Sequence, residues 1–584
     1  MNYLSICLSL LLSLSHIVAQ DATEELNAII SDIAQYERTL VEIPSTREGH
    51  PKEIIHHDHQ AIQGQLLDLQ VFQSRLSSIE VERLDKSQRI TNEVMALKLD
   101  GLINHRKFRN YLIPFNAEGG FFNRISSNLN RLPFSSVEDL EAYSQWLPSY
   151  ANWIQGYQKL MKQGIEEGIV APKVIVKNTL AQLKPWIGEN DQVHPMMAVI
   201  SSDLEQPDDE KWNVAYQHVT ATIEDYVLPA YKALYQFVKE EYYPVSADEP
   251  GISHISQGVD YYKSLVQYFT TLDMTPEEVF QKGQTEVKRI RAQMDDVIRQ
   301  LEYKGDFREF LNYLRTDPRF YVQDGQALLS YAAWVSKKAE GQLPKLFSHL
   351  YHLPFTVEPV PDDIAPTYTS GRYVQGNKSQ DRPGIYWVNT YNLPARALYN
   401  IPALTLHEAV PGHHLQIMLA AELEDLPAFR NRFYISAFGE GWGLYAEYLG
   451  EEMGMYEDPY DLFGRYTYEM WRACRLVVDV GLHYKGWSRA EAVDFLSDNT
   501  ALSLHEVNTE IDRYIVWPGQ ALSYKIGELK IKELRETSEN LLKDKFDIKE
   551  FHYRILRNGS IPLRTLEREI REWIEEKLGT DNED

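Results

Sequence analysis

The chain has 584 residues, 43% hydrophobic and 25% charged, with a formal net charge of -26. That length exceeds what one ordinary hydrophobic core supports, so two lobes or one large helical body are expected. The acidic balance and the lack of any Lys- or Arg-rich run argue against nucleic acid or an anionic membrane as main partner, and leave a peptide or other small substrate.

The first twenty residues, MNYLSICLSLLLSLSHIVAQ, carry an apolar block from Leu4 to Leu14 and end in Ile17-Val18-Ala19, a small-residue cleavage site. They read as a secretory signal peptide, residues 1–20, and the product as a soluble secreted or periplasmic protein. Cys7 falls inside this leader, so Cys474 is left as the single cysteine of the mature chain. An intrachain disulfide and a cysteine zinc site are then both excluded, and no cysteine at the cleavage point suggests a lipid anchor. No later apolar run reaches the roughly 20 residues of a membrane span, so no integral membrane association is expected.

From about Asp21 to Leu350 the pattern is helical. The stretches EELNAIISDIAQYERTLVEI and PEEVFQKGQTEVKRIRAQMDDVIRQLEYKG carry apolar residues three and four apart, and the second opens with the helix start Thr275-Pro276-Glu277-Glu278. HHDHQ, His56 to Gln60, has the look of a metal site. His57 and His59 point to different helical faces, however, and no acidic or cysteine partner stands at ligand spacing, so it reads as a solvated helix face.

Residues 353–395 change character: prolines, glycines and β-formers replace the long helices, giving loops and at least one short strand, GIYWVN. The division expected is thus an N-terminal helical region, 21–350, and a second region, 351–584. The second opens with that strand and then HEAVPGHHLQ, residues 407–416.

His407-Glu408 begins like a zinc-peptidase helix, in which histidines four apart share a face and one zinc. Here the next histidines, His413 and His414, stand six and seven positions on, and Pro411 sits where the second ligand belongs. On an unbroken helix neither could share an ion with His407. Pro411 removes an i→i−4 bond and clashes with the turn before it, and Gly412 adopts angles other residues resist. The pair therefore reads as a bulge. Looping out two residues restores His413 as a ligand; looping out three restores His414.

Downstream, AFGEGWGLYAEYLGEEMG places Glu440 at a helix start with Glu447 two turns later on the same face, and a second helix that offers one carboxylate to a His-His pair completes three protein ligands. HEVNTEIDRYIVWPGQALSYKIG gathers Tyr, Arg and Lys around a Pro-Gly break, a third segment able to line a cleft.

Together, His407-Glu408-x-x-Pro411-Gly412-His413-His414, Glu440-Gly441-Trp442 with Tyr445-x-Glu447, RPGIYWVNT and RYIVWPGQALSYKIG resemble the domain of unknown function 885 family over nearly the whole mature chain. Members of that family are described as zinc peptidases, and it is similar to the helical gluzincins: thimet oligopeptidase, thermostable carboxypeptidase and angiotensin-converting enzyme. The resemblance implies a mainly α fold, a two-lobed body with a deep central channel and a small β-sheet beside the active-site helix. It implies one Zn2+ per chain, with His407 as first ligand, Glu408 as general base and Glu440 as third ligand. His413 fits the family pattern as second ligand, while HHLQ is similar to the GHIQ of angiotensin-converting enzyme through His414, which leaves the choice open. Arg513-Tyr514 resembles an Arg-Tyr pair of the same enzyme, giving Tyr514 the oxyanion role.

The expected function is hydrolysis of short peptides by a carboxypeptidase, dipeptidyl carboxypeptidase or oligopeptidase. GIYWVN, with Tyr386 and Asn389, would hold the substrate by strand addition. Tyr524 would contact it, and Arg513 or Lys525 would take its terminal carboxylate. Two alternatives are a peptide-binding protein without catalysis and a zinc hydrolase of a non-peptide amide or ester.

Overall fold

Helical periodicity is realised along most of the chain. The computed structural model describes residues 22–43, 54–115, 120–122, 134–188, 193–201, 210–362, 364–424 and 426–579, so the leader lies outside the described residues. Contacts divide the chain into two units, Met1–Arg83 with Leu99–Tyr261, and Leu84–Lys98 with Tyr262–Asp584. The change of character near residue 350 is therefore not a unit boundary. The helices between 262 and 350, expected in the N-terminal region, belong to the same unit as the histidine motif.

In the first unit, helix α1 (His59–Ser77) is capped by Asp58, whose side chain accepts from Ala61 N at 2.8 Å. The acidic member of HHDHQ is thus a helix cap, and His59 Nδ1 lies 3.1 Å from the Tyr111 hydroxyl. Helix α2 (Lys86–Lys107) runs from residues of the second unit into those of the first. Helix α3 (Val137–Glu167) starts with a Ser136–Asp139 capping box and turns Tyr143, Trp146, Tyr150 and Trp153 inward, at the three- and four-residue spacing of one helix face.

The second unit carries the site. Helix α4 (Pro276–Gln300) begins at the expected point: Thr275 Oγ1 accepts from Glu278 N, and Glu278 returns the bond to Thr275 N at 2.8 Å. A three-stranded sheet follows, β1 (Phe355–Pro359), β2 (Gly371–Val374) and β3 (Gly384–Val388), in the order β1-β3-β2. β3 pairs parallel with β1 and antiparallel with β2, with Tyr386 opposite both Val357 and Tyr373. The expected strand GIYWVN is therefore the centre of the sheet. Both of its hydrogen-bonding edges are taken, so it cannot receive a substrate strand.

Next come α5 (Ile401–Glu408), α6 (His413–Ala421), α7 (Ser436–Glu452), α8 (Pro459–His483), α9 (Leu504–Val516) and α10 (Ser523–Leu542). Every residue of α8 from Phe463 to His483 is buried, although Arg465, Glu469, Arg472, Arg475 and Asp479 recur along it three and four residues apart. That stripe is a buried polar seam with a partner at each step. Arg465 meets Glu469 at 2.6 Å, Glu469 meets Lys525 at 2.7 Å, Arg475 meets Glu510 at 2.8 Å, and Asp479 accepts from the Tyr262 hydroxyl at 2.6 Å.

Helices α7 and α10 cross at a glycine pair. A Cβ on Gly441 would stand 2.5 Å from Gly527 Cα, and one on Gly527 would stand 2.0 Å from the Ala437 carbonyl oxygen. Only hydrogen atoms fit there, so the two backbones approach closely enough to bring Glu440 of α7 and Tyr524 of α10 to one place. Gly527→Ala is expected to destabilise the protein by about 1 to 3 kcal/mol or more through overpacking. Thermal unfolding of the variant checks this, and an unchanged midpoint would contradict the close crossing.

Candidate metal centre

Helix α5 ends at Glu408, and residues 409–412 turn the chain before α6 restarts at His413. The Val410–Pro411 peptide is cis. A Cβ on Gly412 would lie 1.9 Å from the His407 carbonyl oxygen, so the residue there must be glycine. Two hydrogen bonds fix the turn: His414 N donates to the Ala409 carbonyl at 3.1 Å, and Trp442 Nε1 of α7 donates to the Pro411 carbonyl at 2.8 Å.

The turn returns His413 to the face of His407. Their rings lie 4.7 Å apart edge to face, and Glu440 Oε2 from α7 stands 3.4 Å from both His407 Nε2 and His413 Nε2. Among the described residues, these three form a group whose ligand atoms all lie within 4.8 Å of one another. Donors held at about 2.0 to 2.2 Å by one tetrahedral zinc stand roughly 3.3 to 3.5 Å apart, so the donor set fits that ion. His414 turns away. Its ring packs against Tyr351 at 4.3 Å and Phe355 at 4.7 Å, its Nδ1 lies 3.0 Å from the Tyr373 hydroxyl, and burial pushes it down to about 4.

A further shell supports the cluster. Glu447, two turns beyond Glu440 on the same face of α7, bonds His407 Nδ1 at 2.8 Å and faces Arg472 Nη2 at 3.6 Å. Such a carboxylate fixes which imidazole nitrogen is left for a metal. Gly443 makes room for the His407 ring, since a Cβ there would come within 2.7 Å of its Cε1.

Burial opposes a charged His407, but hydrogen bonds to Glu440 and Glu447 outweigh it and raise the group to about 10. Burial would likewise raise Glu440, yet His407 and His413 hold it well below the usual carboxylate range. Three carboxylates, Glu408, Glu440 and Glu447, thus surround two imidazoles, an arrangement that favours an added cation. Glu408 is oriented from β2, its Oε2 accepting from Tyr373 N at 2.8 Å.

Several expected residues stand elsewhere. Tyr514 is 2% exposed, and its oxygen accepts from Trp471 Nε1 at 2.7 Å and Arg475 Nε at 2.8 Å while also bonding to Glu510, so no donor is left for an oxyanion. Lys525 is fully buried among Glu286 at 3.1 Å, Glu469 at 2.7 Å and Glu528, and cannot take a substrate carboxylate. Tyr386 lies under the sheet with its hydroxyl 3.3 Å from Thr405 Oγ1. Asn389 is buried, its Nδ2 shared among the carbonyls of Ala365, Tyr368 and Thr369. Both are structural. Arg513 keeps partial exposure but is tied to Glu510, Gln520 and Tyr524. His483 is a core residue, with Nε2 2.9 Å from the Tyr514 carbonyl.

Tyr524 does reach the cluster. Its ring lies parallel to His407 at 6.3 Å, and its hydroxyl accepts from Arg513 at 3.4 Å, which leaves its own proton free to donate. Two neighbours carried no sequence signal. Tyr434, 41% exposed overall, turns its hydroxyl inward to bond Glu440, and Arg372 of β2 projects its charge toward Glu408 and Glu440. Neither belongs to a recognisable spacing; only the fold brings them in.

His413→Ala is expected to lose bound zinc, and His414→Gln to keep it at about one ion per chain. Elemental analysis of the two purified variants decides, and zinc lost only from the His414 variant would reverse the ligand assignment.

Comparison with known proteins adds the family. None of the curated proteins matches the chain. A crystal structure described as a "putative lipoprotein" from Colwellia psychrerythraea is similar at 27% identity and a TM-score of 0.84, over 96% of this chain and 99% of that one. A second, described as a "putative lipoprotein of unknown function" from Shewanella oneidensis, has 16% identity and a TM-score of 0.69 over 94% and 99%. The family described as "Bacterial protein of unknown function (DUF885)" matches residues 46–570, and the chain belongs to it.

Proposed function

We propose that the protein is a zinc-dependent peptidase acting on short peptides outside the cytoplasm. The observation that carries this reading is Glu408: a carboxylate adjoining a His407–His413–Glu440 donor set and aimed by a strand backbone. A binding protein has no need of a base at that position.

His407, His413 and Glu440 would hold the ion, with Glu447 orienting His407. Zinc, when bound, supplies Lewis acidity and a water of lowered pKa. Glu408 accepts a proton from the attacking water at its carboxylate and delivers it to the leaving nitrogen. Tyr524 takes the oxyanion role in place of Tyr514, donating from beside His407. Strand addition is assigned to β2, and Arg372 on it replaces Lys525 as the cation for a substrate carboxylate, its charge already directed at the site. A two-lobed body with a central channel belongs to the same reading.

An extracytoplasmic location is supported by the apolar leader and by the description of the similar Colwellia psychrerythraea structure as a lipoprotein. No helix among the described residues is long and apolar enough to cross a membrane.

Glu408→Gln is expected to lower hydrolysis of short fluorogenic peptides by about 10²- to 10⁴-fold with zinc content unchanged. Retained hydrolysis in that variant would remove Glu408 from the mechanism. A zinc-loaded parent that binds but cleaves no member of a peptide library would make the protein a binder.

A further inference from the structure

A second site lies away from the histidine cluster, where the chain between α6 and α7 meets the start of α2. Arg430 is 5% exposed there. Its Nη1 donates to Thr91 Oγ1 at 3.0 Å and its Nη2 to the Asn558 carbonyl at 2.7 Å, and both acceptors are neutral. Among the described residues its buried Nε has no partner and no carboxylate pairs with it. Burial without a counter-charge pushes the guanidinium down to about 10. Such a group carries an uncompensated desolvation cost that a bound anion would offset.

Arg430 lines a cavity of about 170 Å³ together with Ser87, Leu426, Arg557 and Asn558. Arg557 brings a second cation. Its acidic neighbour, Glu569 at 3.7 Å, is shared with Lys86 at 3.3 Å and Arg568 at 3.7 Å. Among the described residues its buried Nε also has no hydrogen-bond partner. Ser87 stands in the first turn of α2, the positive end of that helix. Among the described residues the lining includes one carboxylate, Glu424, which is exposed. The volume matches the share of roughly five or six waters, well below the ~300 Å³ at which organic-ligand pockets begin.

We propose that this cavity binds a compact oxyanion, a phosphate or a free carboxylate group, between Arg430 and Arg557. Two guanidinium forks suit planar or tetrahedral oxygen pairs, whereas chloride offers them no such match. The site is independent of the hydrolytic reading.

Calorimetric titration of the whole protein with inorganic phosphate and, separately, with acetate tests it at constant ionic strength in chloride. A saturable heat is expected for one of the two, and the anion that saturates at lower concentration identifies the chemistry. Arg557→Gln, at a partly exposed position, is expected to weaken that affinity at least tenfold. Arg430→Lys, which keeps the charge and loses the fork, should weaken it as well. Absence of saturable binding for both anions, or unchanged affinity in Arg557→Gln, overturns the proposal.

Discussion

The contact between Gly412 and the carbonyl of His407 is the constraint on which the candidate centre depends. A regular helix would carry His413 roughly 120° around the axis and about 9 Å along it from His407, and the polar cluster would not exist. Because a Cβ at Gly412 would fall 1.9 Å from that carbonyl oxygen, the chain can fold back over the end of α5 only with glycine there. Pro411 contributes the missing N–H and, through its carbonyl, the anchor for Trp442. The same tryptophan belongs to the helix that carries Glu440 and Glu447. One bond thus ties the turn to the helix that completes the donor set.

Around that turn the unit is organised by charge as much as by apolar packing. The seam along α8 places Arg472 against Glu447 and Arg475 against both Glu510 and Tyr514, and Arg475 also covers the Tyr524 ring at 4.2 Å. The tyrosine beside His407 is thereby held from behind by a cation whose own charge is neutralised by Glu510. Such networks contribute little net stability compared with apolar packing, but breaking one member leaves a buried charge unpaired and is costly. They fix geometry more than they add free energy, which is what a candidate metal centre needs.

How much of this was legible in the sequence follows from the same physics. The helical class, the Thr275–Glu278 helix start, the short strand 384–388 and the break after His407-Glu408 rest on local signals: periodicity, capping chemistry and a Pro-Gly pair, whereas Glu440 joins the donor set through the family resemblance. The choice between His413 and His414 was not local. It depends on an aromatic pocket of Tyr351, Phe355 and Tyr373 that receives His414, and those rings come from segments tens of residues away. Tyr514 takes its expected role from the family resemblance of Arg513-Tyr514, and Lys525 reads as a cleft residue because a lysine is seldom fully buried. Glu528 and Glu510 stand at helical spacing from them, but the partners that complete their burial lie on α4 and α8, out of reach of a spacing argument. The central place of β3 was hidden for a related reason, since β1, no shorter than β3, and the four-residue β2 come from other segments and are paired with it only by the fold.

The position of β2 also limits what the proposed peptidase can recognise through the main chain. The strand has four residues, Gly371–Val374, and the Tyr373 N–H on its outer side is given to Glu408. A peptide laid along that edge would find few free backbone groups, so its main-chain pairing would extend over a residue or two. Discrimination among substrates then falls to the side chains that ring the cluster: the charge of Arg372, the phenol of Tyr434 turned toward Glu440, and Tyr524. The bond that fixes Glu408 also sets it in register with whatever lies on β2. On this arrangement, the strand acts mainly to aim the base, and short substrates follow from how little of its edge remains.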